Sequence, residues 1–110
     1  MSIESLKSYV FTSKYSRYLP DKQRRETFDE AVERVIDMHR RHFGAKGIDV
    51  EDLLAVCERA MKRRMVLGSQ RAMQFGGDPI LRKNARIYNC TTSYCDRTRF
   101  FQEALWLLLC

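Results

Sequence analysis

A stripe of apolar side chains along residues 28–43 constrains the fold of this chain more than any other feature of its sequence. The stripe repeats at the 3.6-residue period of one helix face. Its members are Phe28, Val32, Val35, Ile36, His39 and Phe43. Thr27 and Glu30 have the spacing of a capping box, and Gly44 is a typical stop signal. The sequence therefore predicts a long amphipathic helix, although the helix-forming residues 22–26 leave open an earlier start at Asp21.

A second amphipathic segment follows and offers this helix a packing partner. Asp49 is expected to begin it, and basic residues 62–64 crowd its last turn, where cations suit the helix dipole. Its predicted inner face consists of Leu53, Leu54, Cys57, Met61 and Met65. We expect the two helices to pack as an antiparallel pair.

The two ends of the chain predict further helices. Residues 1–20 carry scattered aromatic side chains and a proline, which favours a short helix followed by an extended arm. Asp96 can cap a helix over residues 100–109 that is apolar nearly all the way round. Such a helix needs burial on every side. We therefore expect a continuation of this hydrophobic helix region, either covalent or supplied by a second chain.

The pattern changes after Gly68. Residues 75–79 contain turn signals, Phe-Gly-Gly followed by Asp-Pro, and residues 86–91 alternate as a short strand would. The predicted fold is thus mainly α-helical, with about four helices and one short strand near residues 86–91. Residues 1–67 form the predicted N-terminal helical region.

Charge, apolar runs and cysteine content indicate where the protein is located and what it contacts. Twenty basic and fourteen acidic residues give a net charge of +6, which favours contact with polyanions. The longest apolar run, residues 104–110, is far shorter than the roughly 20 residues of a membrane span, and residues 1–20 lack the basic region followed by an apolar core that is typical of an export signal. We expect a cytoplasmic protein without a membrane partner, whose four cysteines are reduced at rest.

Cys90 and Cys95 are the first candidates for chemistry. A thiol at a strand end beside hydroxyl side chains such as Thr91 is placed for redox or nucleophilic work. The alternative is a buried structural role, which is common for free cysteine. Zinc is not expected, because no second Cys/His pair stands at ligand spacing. His39 falls on the apolar stripe, which favours a packing role.

Runs of basic residues leave nucleic-acid binding open as an alternative function. Residues 24–25, 40–41 and 62–64 could contact phosphates, although such runs on helices are usually solvated faces. A small nucleic-acid-binding helical protein is therefore the main alternative function. A helical interaction module without chemistry is a third.

Several blocks of the sequence resemble monomeric-type class II ribonucleotide reductases, which depend on adenosylcobalamin. Residues 18–35 (YLPDKQRRETFDEAVERV) are similar to the lead-in helix of that family. Residues 68–77 (GSQRAMQFGG), 84–91 (NARIYNCT) and 101–110 (FQEALWLLLC) resemble, in order, its substrate loop, its first barrel strand with a redox cysteine, and its first buried barrel helix. The resemblance spans nearly this whole chain but only the early part of the family's length.

The resemblance implies a fold and a reaction. Residues 68–110 would begin a ten-stranded α/β barrel, and the family's cobalamin-generated thiyl radical abstracts the ribose 3′ hydrogen. Cys90 would be the N-terminal member of the cysteine pair that reduces the nucleotide, while Cys95 and Cys110 would be packing residues. Ser69, Asn89 and Thr91 would contact the substrate.

The resemblance also implies partners. These are the C-terminal remainder of the reductase, a ribonucleotide substrate and a dithiol reductant such as thioredoxin, with adenosylcobalamin bound mostly outside this chain. The chain alone would be inactive in deoxyribonucleotide synthesis. A phage-type split gene, an intein junction and a truncation all stay open as the origin of its length.

Overall fold

The computed structural model describes residues 2–88 and 90–109, and this part of the chain is mainly helical, as predicted. Its six α-helices are α1 (Ile3–Lys14), α2 (Phe28–Gly44), α3 (Glu51–Lys62), α4 (Gln70–Phe75), α5 (Asp78–Arg82) and α6 (Arg99–Leu109). Two short strands, β1 (Tyr18–Leu19) and β2 (Arg24–Arg25), pair antiparallel. The predicted number of about four helices is too low, because α4 and α5 are too short to show a period in the sequence.

The central helix, α2, begins where its capping box predicts. The Thr27 hydroxyl accepts a hydrogen bond from the Glu30 N–H, and the Glu30 carboxylate accepts one from the Thr27 N–H at 3.1 Å. These bonds satisfy two backbone donors that a helix start leaves free. The earlier start at Asp21 is not seen, since Asp21 lies in a 3₁₀ turn, Pro20–Lys22, between the two strands.

The core forms where α2 meets α3, α4 and α5. Its buried side chains are Ala31, Val32, Val35, Ile36 and Met38 of α2, Leu54 and Met61 of α3, Ala72 and Met73 of α4, and Ile80 of α5. Phe28 and Cys57 pack against this core while partly buried. That α2 packs against α3 is as predicted. The core contains residues from both sides of position 67.

Two residues predicted for the inner face of α3 point elsewhere. Leu53 is 63% exposed and Met65 is 74% exposed. Leu53 precedes the buried Leu54 by one residue, which turns it about 100° around the helix. Met65 follows Arg64, whose φ of +57° ends the helical path.

The strand predicted near residues 86–91 is wrong for the residues that the structure describes there. Asn84–Ile87 forms a 3₁₀ turn, and Tyr88, Cys90 and Thr91 belong to no strand. A strand needs a neighbour to receive its backbone hydrogen bonds. Here the bonds close locally instead, from Arg86 N–H to Lys83 C=O and from Tyr88 N–H to Ala85 C=O.

The C-terminal helix, α6, stands outside the core. It begins at Arg99, and the carboxylate of Asp96, which was predicted to cap it, accepts a hydrogen bond from the Arg97 side chain. None of its described residues is buried. Within residues 2–88 and 90–109, no helix has the length and apolar character needed to cross a membrane.

A buried ion pair joins α2 to the segments on either side of it. The Arg34 guanidinium donates to both carboxylate oxygens of Glu26, and the two side chains are only 12% and 6% exposed. Arg34 also donates to the backbone carbonyls of Tyr15, Met73 and Gly76, at 3.2, 2.8 and 3.1 Å. One side chain therefore ties the end of α1 and the end of α4 to α2.

We expect Arg34→Ala to lower the free energy of unfolding by about 3–5 kcal/mol, because it leaves the Glu26 carboxylate buried without its cation. Urea denaturation followed by circular dichroism measures this. Arg40→Ala is the matched control on the same helix. Its partner Glu51 lies 2.6 Å away but both side chains are about half exposed, so we expect a loss of at most about 1 kcal/mol. Equal losses of unfolding free energy in the two variants would contradict the conclusion that the buried Arg34 stabilises the fold more than an exposed ion pair does.

Candidate functional site

Cys90 lies on a segment without regular secondary structure, between the 3₁₀ turn Asn84–Ile87 and α6. Its thiol is free and exposed. Cys95, five residues further along the same segment, is also free and exposed, so the prediction that it packs in the interior is wrong. Cys110 lies outside the described residues. The structure thus presents two accessible thiols on one irregular segment.

Of the other predicted site residues, the structure describes Ser69 and Thr91. Ser69 is the N-cap of α4, where its hydroxyl oxygen accepts a hydrogen bond from the Ala72 N–H at 3.3 Å. That bond leaves the hydroxyl proton able to donate to a ligand. The helix that Ser69 caps packs against the 3₁₀ turn that ends three residues before Cys90. Thr91 is half-buried beside Cys90, and Asn89 lies outside the described residues.

The link between α4 and α5 explains the paired glycines of the predicted substrate loop. A Cβ on Gly76 would overlap the backbone carbonyl oxygen of Ala72, and Gly77 has a φ of +114°, which side chains rarely adopt. The turn predicted at these glycines is confirmed. The turn lets α5 fold back so that both short helices contact the 3₁₀ turn before Cys90.

Three basic residues that the sequence analysis passed over lie just before Cys90. Arg82 ends α5, Lys83 follows it, and Arg86 lies in the 3₁₀ turn, and all three are exposed. Among the described residues, none of them has a carboxylate partner. Exposed cations of this kind attract phosphate groups. The feature of the sequence that could have identified these three residues is their position within eight residues of Cys90.

The two histidines do not belong to this region. His39 is half-buried on α2 and stacks on Phe43, with ring centroids 6.4 Å apart. Burial lowers the pKa of His39, and the nearby His42 lowers it further. This environment agrees with the packing role predicted for His39.

An apolar groove lies elsewhere on the chain. A groove of about 1230 Å³ runs between α1, the start of α2 and residues 64–67, and it is lined mainly by apolar side chains. Neither histidine nor any cysteine lines it. No group of three His, Cys, Asp or Glu side chains within the described ranges could hold a metal ion.

These residues do not fit a cobalamin site. Neither His39 nor His42 lines the groove beside α1, and no described residue of the Cys90 segment lines it.

Comparison with known proteins found no match. No protein family, no curated protein and no solved structure matches it. The likeness to the reductases consequently rests on the sequence blocks alone, and the function below is argued from those blocks together with the geometry of the Cys90 segment.

We expect Cys90 and Cys95 to react with an aromatic disulfide reagent much faster than Cys57, because both are exposed while Cys57 packs against the core. Stopped-flow absorbance of the native chain measures the number of fast thiols. Cys90→Ser and Cys95→Ser should each remove one fast equivalent, and Cys57→Ser should remove none. A fast phase that is unchanged in Cys90→Ser would show that this thiol is shielded.

Proposed function

We propose that this chain is the N-terminal part of a class II ribonucleotide reductase and that Cys90 is one of its two reducing thiols. The single observation that carries the proposal is the exposure of the Cys90 thiol, on an irregular segment, at the position that matches the family's redox cysteine. A reducing thiol must be accessible both to its substrate and to the dithiol that regenerates it. A cysteine buried in the core would not meet that need.

The proposed fold extends the observed helices. Residues 1–67 are the helical lead-in, and residues 68–110 begin a ten-stranded α/β barrel whose other strands belong to the remainder of the enzyme. In that assembly the segment around Cys90 gains the neighbouring strand that it lacks here. The helix α6, which has no buried described residue, becomes an inner helix of the barrel.

The chemistry assigned to Cys90 is a two-electron reduction. The ribonucleotide loses its 2′ hydroxyl as water, and Cys90 and a second cysteine of the remainder supply two electrons and two protons as they form a disulfide. A dithiol protein of the thioredoxin class then reduces this disulfide by thiol exchange. Adenosylcobalamin, bound by the remainder, supplies the radical that starts the reaction.

The residues around Cys90 are proposed to hold the nucleotide. Arg82, Lys83 and Arg86 offer three exposed positive charges to its phosphates. Ser69 and Thr91 offer hydroxyl groups, and Asn89 is the third proposed substrate contact.

The basic surface also supports the second candidate, binding of nucleic acid. A net charge of +6 and three free cations beside an irregular segment suit contact with a phosphate backbone. Such binding would weaken steeply with salt and would be unchanged by Cys90→Ser. Under the reductase proposal, by contrast, Cys90→Ser abolishes the activity that is measured, ribonucleotide reduction.

Ribonucleotide reduction by this chain tests the proposal directly. The chain is mixed with the product of the downstream reading frame, adenosylcobalamin, a ribonucleotide and a dithiol, and deoxyribonucleotide is measured by chromatography. We expect turnover only when both polypeptides are present. Cys90→Ser should reduce turnover to background, because a hydroxyl cannot form the disulfide.

Cys95→Ser is the matched control, since Cys95 is equally exposed on the same segment but lies outside the family match. We expect it to keep most of the activity. Absence of turnover from a folded mixture, or equal turnover by Cys90→Ser, would reject the role of Cys90.

A further inference from the structure

The groove beside α1 has no occupant within the described chain. Its walls are α1 on one side and, on the other, the start of α2 and residues 64–67. The apolar side chains at its mouth are well exposed, including Leu6 at 50%, Val66 at 53% and Leu67 at 67%. Arg64 lies over the Phe28 ring, 5.2 Å from its centroid, and so braces one wall. We call this feature the α1 groove.

The helix α6 is the second uncovered apolar surface. Six of its side chains are between 48% and 76% exposed, namely Phe101, Leu105, Trp106, Leu107, Leu108 and Leu109. It is joined to the core by residues 88–98, which show no helix or strand wherever they are described. Eleven extended residues can reach at most about 40 Å, so this tether does not confine α6 to its own core.

Monomeric proteins rarely expose large apolar surfaces, and this chain has two. Every residue that lines the α1 groove falls between Ile3 and Met73, so α6 does not fill the groove of its own chain. We propose that α6 of one copy docks in the α1 groove of a second copy, and that the exchange is reciprocal. The result is a two-fold, domain-swapped dimer.

The surface available is enough for a stable dimer. At about 100° per residue, all six of these α6 side chains except Leu107 lie within one half of the α6 surface, and their exposed parts amount to on the order of 500 Å². Two such helix faces and two grooves would together bury roughly 1,500 Å², which lies within the range of specific interfaces. Eleven helical residues are about 16 Å long, a length that suits a groove walled by the twelve-residue α1.

Charges do not oppose this docking. Glu4 and Lys7, at the α1 wall, pair with each other at 2.8 Å. Within α6 the charged residues are Arg99 and Glu103, and Glu103 accepts a hydrogen bond from Arg97. Arg25 and Arg64 also line the groove. Arg25 donates to the backbone carbonyls of Thr12 and Ser16, and the exposed Arg64 lies over the Phe28 ring, so docking has to leave the Arg64 guanidinium at the rim in contact with water.

The dimer is independent of the proposed function, because it requires neither Cys90 nor nucleotide nor a downstream chain. Sedimentation and light scattering of the whole chain should give a mass twice the 13.0 kDa of one copy. Trp106 is the single tryptophan, so its emission should shift to shorter wavelength as the concentration rises and the dimer forms. Cys90→Ser should leave both results unchanged.

Two charge variants separate the two halves of the contact. Leu6→Glu/Val66→Glu alters only the groove, and Leu105→Glu/Leu108→Glu alters only α6. Each alone should be monomeric, because both of its swapped contacts contain a damaged surface. An equal mixture of the two should recover a heterodimer, because one contact then joins an intact groove to an intact helix. Leu53→Glu, an exposed site on α3 outside the groove, is the control and should dimerise like the native chain.

Three outcomes would overturn the proposal. A monomer whose Trp106 emission is already shifted at all concentrations would place α6 in its own groove. A dimer that survives the groove substitutions but not those in α6 would show that two α6 helices pair with each other. A native chain that stays monomeric with solvent-exposed Trp106 would show that the two surfaces do not associate.

Discussion

The buried pair of Arg34 and Glu26 is the interaction on which the rest of the described structure depends. Two opposite charges in an interior gain from each other only when their remaining hydrogen bonds are satisfied. Here Arg34 donates to the Glu26 carboxylate and to three backbone carbonyls, while Glu26 also accepts from the Arg17 N–H at 3.2 Å. The pair thus satisfies polar groups of the irregular segment after α1 and of the turn after α4, which no helix could satisfy.

The functional features lie on the two sides of this pair. On one side, Tyr15 closes α1, which forms a wall of the α1 groove. On the other side, Met73 and Gly76 end α4, whose contact with the 3₁₀ turn Asn84–Ile87 positions the start of the Cys90 segment. A substitution of Arg34 or Glu26 would consequently alter the structure both at the α1 groove and near the Cys90 segment. Loss of one of the exposed ion pairs on the helix surfaces would not affect both of these regions.

The chain combines a tight core around α2 with a C-terminal part that leaves its apolar side chains in solvent. The proposed reductase and the proposed dimer would bury these apolar side chains in different ways. In the first, α6 is covered by the remainder of a barrel, and in the second by the groove of another copy. Since one α6 cannot be in both places, assembly with a larger partner would compete with self-association.

The sequence by itself determined the elements whose signals are local. The period of Phe28, Val32 and Val35 and the capping box at Thr27 predicted α2, and the same reasoning placed Leu54 and Met61 on the inner face of α3. The paired glycines predicted the close turn between α4 and α5. Such features are predictable because they depend on residues within one or two turns of each other.

Only the tertiary structure decided which polar side chains are buried and which apolar ones are not. Arg34 and Glu26 look like solvated helix residues in the sequence, because the carbonyls that Arg34 contacts are up to 42 residues away. The alternation over residues 86–91 predicts a strand, yet the described part forms a turn because no neighbouring strand is there to pair with it. Likewise α6 is apolar enough for a core, but burial depends on a surface that covers it, and within the described chain that surface is absent.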